Sequence, residues 1–401
     1  MIKINHSFTI DFLTRYEEYV ITNRAIPSFH KRVLNAQGIT QVERDYIRIL
    51  FTDEFIYELV FCNAEQLYQK IETVYNYLPI LAERYCLEYY LKDINLTPKE
   101  ALMPIGRKAD KSEIRRIYAR VIADLQLLSD NNQSILLPVI INEIKVTEKS
   151  KASDIKHILK KINSMKLGHY KLTEEIVALY PNWVAGFDSV FNYEAMSTNF
   201  GHEITKNMDL DICPYCNNED IETITEKGAE TRPDLDHFYP KSKFPFLATT
   251  LFNLVPAGSR CNQSYKKSTS MFGYIHPRVD GINQSRLFDF FHTPGKGHNP
   301  DNLKIKTIRQ NNPLDKNLDL FKIEAAHNKH DVKKWFLRLD ERYQLILNSE
   351  NDKIKEILDN EKLICLRLDI DVKESPKKEK YQKLKIDALN FLSGRDYKIK
   401  D

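Results

Sequence analysis

Residues 213–267, CPYCNNEDIETITEKGAETRPDLDHFYPKSKFPFLATTLFNLVPAGSRCNQSYKK, break with the rest of the chain, because turn residues and metal-ligand types replace the helical periodicity on either side. Cys213-Pro214-Tyr215-Cys216 spaces two sulfurs across one tight turn, so that both can face a single ion. A second pair would complete a tetrahedron, yet only Cys261 follows, because the position three residues before it is Gly258. Asp236-His237 sets a hard carboxylate beside an imidazole, and in extended backbone the two side chains leave on opposite faces. An imidazole titrates at roughly 6.5, so its neutral form takes a proton from water at cellular pH, as a general base must. Asn253 lies fifteen intervening residues beyond His237, Asn262 eight beyond Asn253, and Lys266 and Lys267 come next. Amide oxygens, phosphate-binding amines and one carboxylate form the donor set of a magnesium and phosphodiester site.

Outward from this stretch the chain reads as helix. At 401 residues it exceeds one ordinary core, so two or three domains are expected. A composition 42% hydrophobic and 29% charged excludes wholesale disorder and collagen-like structure, and the scarcity of glycine (12) and proline (16) disfavours a turn-dense sandwich or barrel. Helix-start chemistry recurs before residue 200, as Thr40-x-x-Glu43, Asn63-x-x-Gln66, Thr97-Pro98-x-Glu100 and Asp110-x-x-Glu113. Apolar residues follow at helical spacing: Val42, Tyr46, Ile49 and Leu50, then Ile114, Ile117, Val121, Leu125 and Leu128. Further helices are expected over Ser153–Met165, stopped near Gly168, and over Pro181–Met196, with Trp183, Phe187, Val190 and Phe191 as the buried stripe. Val332, Trp335, Phe336, Leu339, Tyr343 and Ile346 mark another helix, and the charged run Lys377–Lys385 reads as a linker before a last apolar segment.

No stretch reaches the roughly 18 to 20 apolar residues of a membrane helix, and the start MIKINHSFTIDF lacks a signal peptide's apolar core, so the expected location is cytoplasmic. There the six cysteines are not a disulfide framework; Cys62, Cys86 and Cys365 have apolar neighbours and read as small buried hydrophobes. With 59 basic against 56 acidic side chains, the net charge of +3 announces no nucleic-acid binder, so such a surface must be local. Arg107, Lys108, Lys111, Arg115, Arg116 and Arg120 could track a phosphate backbone, but a solvated helix face is the commoner fate of such a cluster.

The CPYC turn followed by LDHFYPKS, NLVPAGSRCN and a lysine-bearing segment resembles the HNH endonuclease superfamily, in its branch with a cysteine knuckle. The resemblance covers about 55 of 401 residues. It implies a ββα-metal nuclease module, which with the helical spacing on either side gives the expected architecture, a mainly α protein with helical N-terminal and C-terminal regions around a central ββα-metal nuclease module: a recognition or partner domain (1–170), the nuclease with its leading helix (171–280) and a helical C-terminal region (281–401). By the resemblance Asp236 and Asn262 bind a catalytic Mg2+ or Mn2+, His237 activates water, Asn253 holds the hairpin loop that orients His237, and Lys266 contacts phosphate. The closing asparagine, where the family name has histidine, keeps an oxygen ligand. Cys213, Cys216 and Cys261 offer three ligands to a structural Zn2+. Gly258 supplies none, leaving a fourth donor from outside the module, such as His276 or His202, a water, or packing without an ion. The implied activity is phosphodiester hydrolysis in DNA, with RNA or binding without turnover as the alternatives. Proteins of this layout resemble restriction or anti-phage effectors, often paired with an ATPase or sensor, and a homo-oligomer would supply two cutting modules.

Overall fold

The computed structural model describes residues 2–146, 151–282, 285–349 and 351–399, and it is mainly helical with two small antiparallel sheets. Among the described residues no helix is long and apolar enough to cross a membrane. The capping boxes at Thr40 and Thr97 form as the sequence predicts, each side chain accepting a first-turn N–H while the glutamate three residues on accepts in return. Asn63 and Gln66 exchange the same pair of bonds at 3.1 and 3.0 Å, one turn ahead of helix Leu67–Tyr77. The fourth helix start moves. Helix Lys108–Asn132 begins before Asp110, because the Asp110 carboxylate accepts from the Arg107 amide at 3.0 Å and pairs with its guanidinium, which makes Arg107 the cap.

Several expectations from periodicity hold. Ile114, Ile117, Val121 and Leu125 are buried, helix Ala152–Lys166 covers the predicted 153–165 span, and Val332, Phe336, Leu339, Tyr343 and Ile346 are the inward face of helix His330–Ser349. Three do not. The expected helix over 181–196 is two, Asn182–Val190 and Tyr193–Met208, because Asn192 accepts from the Ala195 amide at 2.9 Å and caps a new start. In helix Gln41–Leu50 the apolar stripe faces outward: Val42 is 80% and Ile49 71% exposed, while only Ile47 is buried. The third concerns the C-terminal region, expected to be helical. It contains a hairpin, β3 (Phe288–His292) and β4 (Leu303–Thr307), in the register Phe288↔Thr307 to His292↔Leu303; β1 and β2 are introduced with the functional site.

One apolar cluster runs from Ile4 to Ile399, and hydrogen bonds cross both expected domain limits. The Ile2 amide donates to the Pro214 carbonyl and that of Ile4 to Pro277, each at 2.7 Å. Tyr16 donates to the Thr249 carbonyl and Thr250 to that of Leu59, both at 2.7 Å, while Lys243 pairs with Glu88 at 2.7 Å. The run 377–385 does not behave as a linker. Asn217, buried and at φ +50°, donates to the Pro376 carbonyl at 2.7 Å and accepts from the Lys383 amide at 3.1 Å, and Lys378 and Lys380 pair with Asp209, Asp211 and Asp220. The run is strapped to the cysteine turn.

Candidate functional site

The central stretch folds as a hairpin followed at once by a helical turn. Strand β1 (Asp234–His237) pairs antiparallel with β2 (Leu254–Ala257), Asp234 opposite Ala257 and His237 opposite Leu254. A widened helical segment, Arg260–Lys266, starts three residues after β2 and ends at Lys267, whose φ of +51° cannot continue a right-handed helix. Side chains alternate along β1, so Asp234 and Asp236 share one face and His237 leaves on the other. Asn262 and Lys266, four apart, share a face of the helical segment and meet β1: Asn262 reaches the Asp234 carboxylate at 3.1 Å, and Lys266 reaches Asp236 at 2.9 Å.

Asn253 closes the loop between the two strands, immediately before β2. Fully buried, it accepts from the Tyr239 amide at 2.8 Å and donates to the carbonyls of Tyr239 (3.0 Å) and Leu247 (3.2 Å), tying both ends of the loop between the strands. The next carbonyl along, Ala248, lies 2.8 Å from His237 Nε2. A carbonyl only accepts, so Nε2 carries the proton and Nδ1 keeps the lone pair. Burial pushes the His237 pKa down to about 3, with the neighbouring Lys241 and Lys266 charges adding to the effect and the Ala248 bond opposing it. The imidazole is therefore neutral at any ordinary pH. Its ring meets Tyr193 edge-on at 4.5 Å, and a cleft of about 320 Å³, lined in part by Tyr193, Lys241, Ser242 and Ala248, opens beside it.

The Asp236 carboxylate does not present itself to an ion. Oδ2 accepts from the Tyr215 hydroxyl at 2.7 Å and Oδ1 from Lys266, whose ammonium also donates to the His237 carbonyl at 2.6 Å. Both members of the ion pair are buried, Lys266 at 1% exposure and Asp236 at 3%. Lys266 thus faces inward rather than toward a phosphate, and its charge stands where a cation at Asp236 would. Asn262, meant to share that ion, is turned to Asp234, which also accepts from Gln263 at 2.7 Å. The residues as arranged do not fit a divalent ion between Asp236 and Asn262.

The cysteines do converge. Cys213, Cys216 and Cys261 are buried, with sulfurs all within 4.8 Å of one another. The Gly258 amide donates to Cys213 and the Asn218 amide to Cys216. Hydrogen bonds from the other two sulfurs pull the Cys216 thiol down, whereas those bonds push Cys261 up and burial raises Cys213. A Cβ at Gly258 would lie 2.2 Å from the Glu219 carboxyl, so Glu219 fills the space of the missing fourth cysteine, and its Oε2 is buried without a hydrogen bond. A second orphan is His327, whose Nδ1 donates to the Ile323 carbonyl at 2.8 Å while its buried Nε2 has no partner; Cys216 is among the charges felt by this imidazole. Three sulfurs with amide donors to two of them fit a zinc ion, while Glu219, whose Oε2 pairs with Arg260 at 3.8 Å, and His327 are not among the clustered ligands. His276 and His202 are not part of this cluster, since His276 Nδ1 accepts from the Arg278 amide at 3.0 Å and His202 is exposed.

Tyr215, Asp234, Tyr193 and His327 escaped the sequence reading. Asp234 was within reach, because it shares the alternation of Asp236, and Tyr215 lies inside the CPYC turn; nothing local marks His327. Of the remaining cysteines, Cys62 and Cys86 are buried, but Cys365 is exposed because helix Glu361–Leu368 turns Ile364 and Leu368 inward. The basic cluster of helix Lys108–Asn132 is largely paired, Arg107 with Asp110, Arg116 with Glu113 and Arg120 with Glu100. No family model, curated protein or solved structure matches the chain.

Proposed function

We propose that this protein is an HNH-type endonuclease that hydrolyses phosphodiester bonds in DNA. One chain of contacts carries the reading: Asn253 ties the loop, the loop presents the Ala248 carbonyl, and that carbonyl fixes His237 as a neutral tautomer with Nδ1 free. A general base needs its orientation and neutral form set before substrate arrives, and both are set here; its proton affinity is low, because burial holds its pKa at about 3, below the near-neutral value that serves a base best. The hairpin and following helical turn supply the ββα order, and Cys213, Cys216 and Cys261 would hold zinc beneath it as a structural ion. In the reaction His237 Nδ1 takes a proton from the attacking water as its oxygen bonds to phosphorus and the bond to the leaving sugar oxygen breaks, that oxygen taking a proton from solvent; Lys241, at 4.6 Å over the Tyr193 ring, is a cation on the cleft wall that would leave its Glu194 partner, 4.0 Å away, for the phosphate. No step is assigned to magnesium or manganese, because with Lys266 on Asp236 and Asn262 on Asp234 the residues do not fit that ion.

Lys266 favours a second reading, a nucleic-acid-binding or scaffold protein without turnover, because an ammonium locked onto Asp236 leaves no free carboxylate there. A plasmid-nicking assay with Mg2+ or Mn2+, run beside EDTA and His237→Ala, separates the two. Metal-dependent nicking abolished by His237→Ala supports the nuclease. Wild-type nicking by that variant would refute the base, and binding without cleavage under every metal would leave the second reading. Competition between DNA and RNA decides the substrate. A role in bacterial defence beside an ATPase or sensor, and a homo-oligomer, extend the proposal by analogy of layout alone.

A further inference from the structure

The hairpin that the sequence did not announce carries a second donor cluster. His292 ends β3, His298 sits in the loop between β3 and β4, and Asp340 projects from helix His330–Ser349. One ligand atom from each lies within 4.8 Å of the others. We propose that His292, His298 and Asp340 bind a divalent transition ion, zinc or nickel in class, which clasps the β3–β4 hairpin to that helix.

Four observations carry this. The imidazoles lie 18° from parallel with centroids 5.4 Å apart, and a nitrogen of each lies within 4.8 Å of the other and of an Asp340 oxygen. His298 Nε2 lies 3.1 Å from Asp340 Oδ2, a spacing suited to two ligands of one ion, while His298 Nδ1 lies 3.4 Å from Glu341 Oε1. A carboxylate behind a ligating imidazole fixes its tautomer and raises its basicity, and Glu341 is placed for that. The loop holding His298 is built in advance, since Asn302 donates to the Gly297 carbonyl at 2.7 Å, the Thr293 amide donates to the Asn302 carbonyl at 2.9 Å, and Asn299 caps the Pro300–Asn302 turn. Ion pairing with Asp340 and Glu341 accounts for His298 but not for His292, which shares the same point with no hydrogen bond to its ring among the described residues.

Two imidazoles and a carboxylate select borderline transition ions over magnesium or calcium, which want oxygen alone. Both histidines are exposed, so coordination positions stay open to solvent, in contrast with the buried cysteine trio. The proposal does not rest on the nuclease reading.

The test titrates Co2+ into the full-length protein with its cysteine-bound metal retained. The expected result is one further equivalent bound, with visible d–d absorption and no sulfur-to-cobalt charge-transfer band, lost in His292→Ala and in His298→Ala and kept in Cys261→Ser. Glu341→Gln should weaken binding roughly tenfold, the low end of the range for a residue behind a ligand. Near-UV circular dichroism checks that the variants are folded, and Asp340→Asn gives an independent ligand deletion. Absence of the further equivalent, or its binding at unchanged affinity in His292→Ala, would overturn the proposal.

Discussion

Lys266→Ala tests whether the ion pair under the hairpin is the fixed object it looks like. Removing the ammonium leaves the Asp236 carboxylate at 3% exposure with the Tyr215 hydroxyl as its remaining donor and strips the His237 carbonyl of its Lys266 bond. Breaking a buried pair by deleting one partner costs about 3–5 kcal/mol, because the surviving charge stays desolvated. A domain is stable by only about 5–15 kcal/mol, so the loss is roughly a fifth or more of the total. Urea unfolding followed by fluorescence should show a lower midpoint at unchanged slope. In a double-mutant cycle, Asp236→Asn with Lys266→Ala should cost less than the sum of the two single changes by about 1–3 kcal/mol. A loss below about 1 kcal/mol for Lys266→Ala, the range of an exposed pair, would refute the reasoning. It would also reopen Asp236 as a metal ligand. If Mn2+ fits there once the lysine is gone, saturation at a hundred times Kd should restore about 2.7 kcal/mol.

Asn253→Ala removes three hydrogen bonds made by a fully buried side chain and strands the Tyr239 amide, so a destabilisation of about 2–4 kcal/mol is expected in the same urea assay, with nicking reduced even where the chain is folded. Because burial holds the folded His237 pKa at about 3 against an unfolded value near 6.5, the unfolded chain binds more protons across that interval, so stability falls as pH drops below 6.5, by up to about 1.4 kcal/mol per pH unit. Urea midpoints from pH 7 to pH 4 measure this slope together with those of His276 and His327, which burial also pushes down, so His237→Gln should reduce it without abolishing it; the acid limb of cleavage should likewise lie below the ordinary histidine value. Gly258→Cys meets the Glu219 carboxyl at 2.2 Å and should destabilise the fold, whereas Gly258→Cys with Glu219→Ala should raise zinc affinity, read by competition with a chromophoric chelator. Elemental analysis should find zinc in the wild type and less in Cys213→Ser, and zinc-free wild type would end the structural-ion account.

Much of this was legible in the residues because it rests on local rules. Capping boxes at Thr40 and Thr97 and the inward stripes of helices Lys108–Asn132 and His330–Ser349 follow from spacing alone. The expectation that Asn253 ties the loop comes from the resemblance rather than from spacing. What escaped depends on partners distant in sequence. No local rule tells that Lys266 turns inward, because the carboxylate that captures it is thirty residues earlier. The helix over 41–50 shows that a periodic stripe fixes conformation without fixing what covers it, since Val42 and Ile49 face solvent. The β3–β4 hairpin was readable in part: Leu303-Lys304-Ile305-Lys306 alternates with period two, and β4 follows that alternation with Leu303 and Ile305 buried.

Asn217 gives the cysteine turn a debt to the far end of the chain. Its amide group and carbonyl are satisfied by residues 376–383, so during synthesis the turn emerges some 160 positions before the backbone that completes it. Until then the sulfurs can gather, but the surrounding donors and acceptors stay with water. Any stop codon before that strap should therefore yield a chain whose knuckle is wet and exposed to proteases, however intact its own residues.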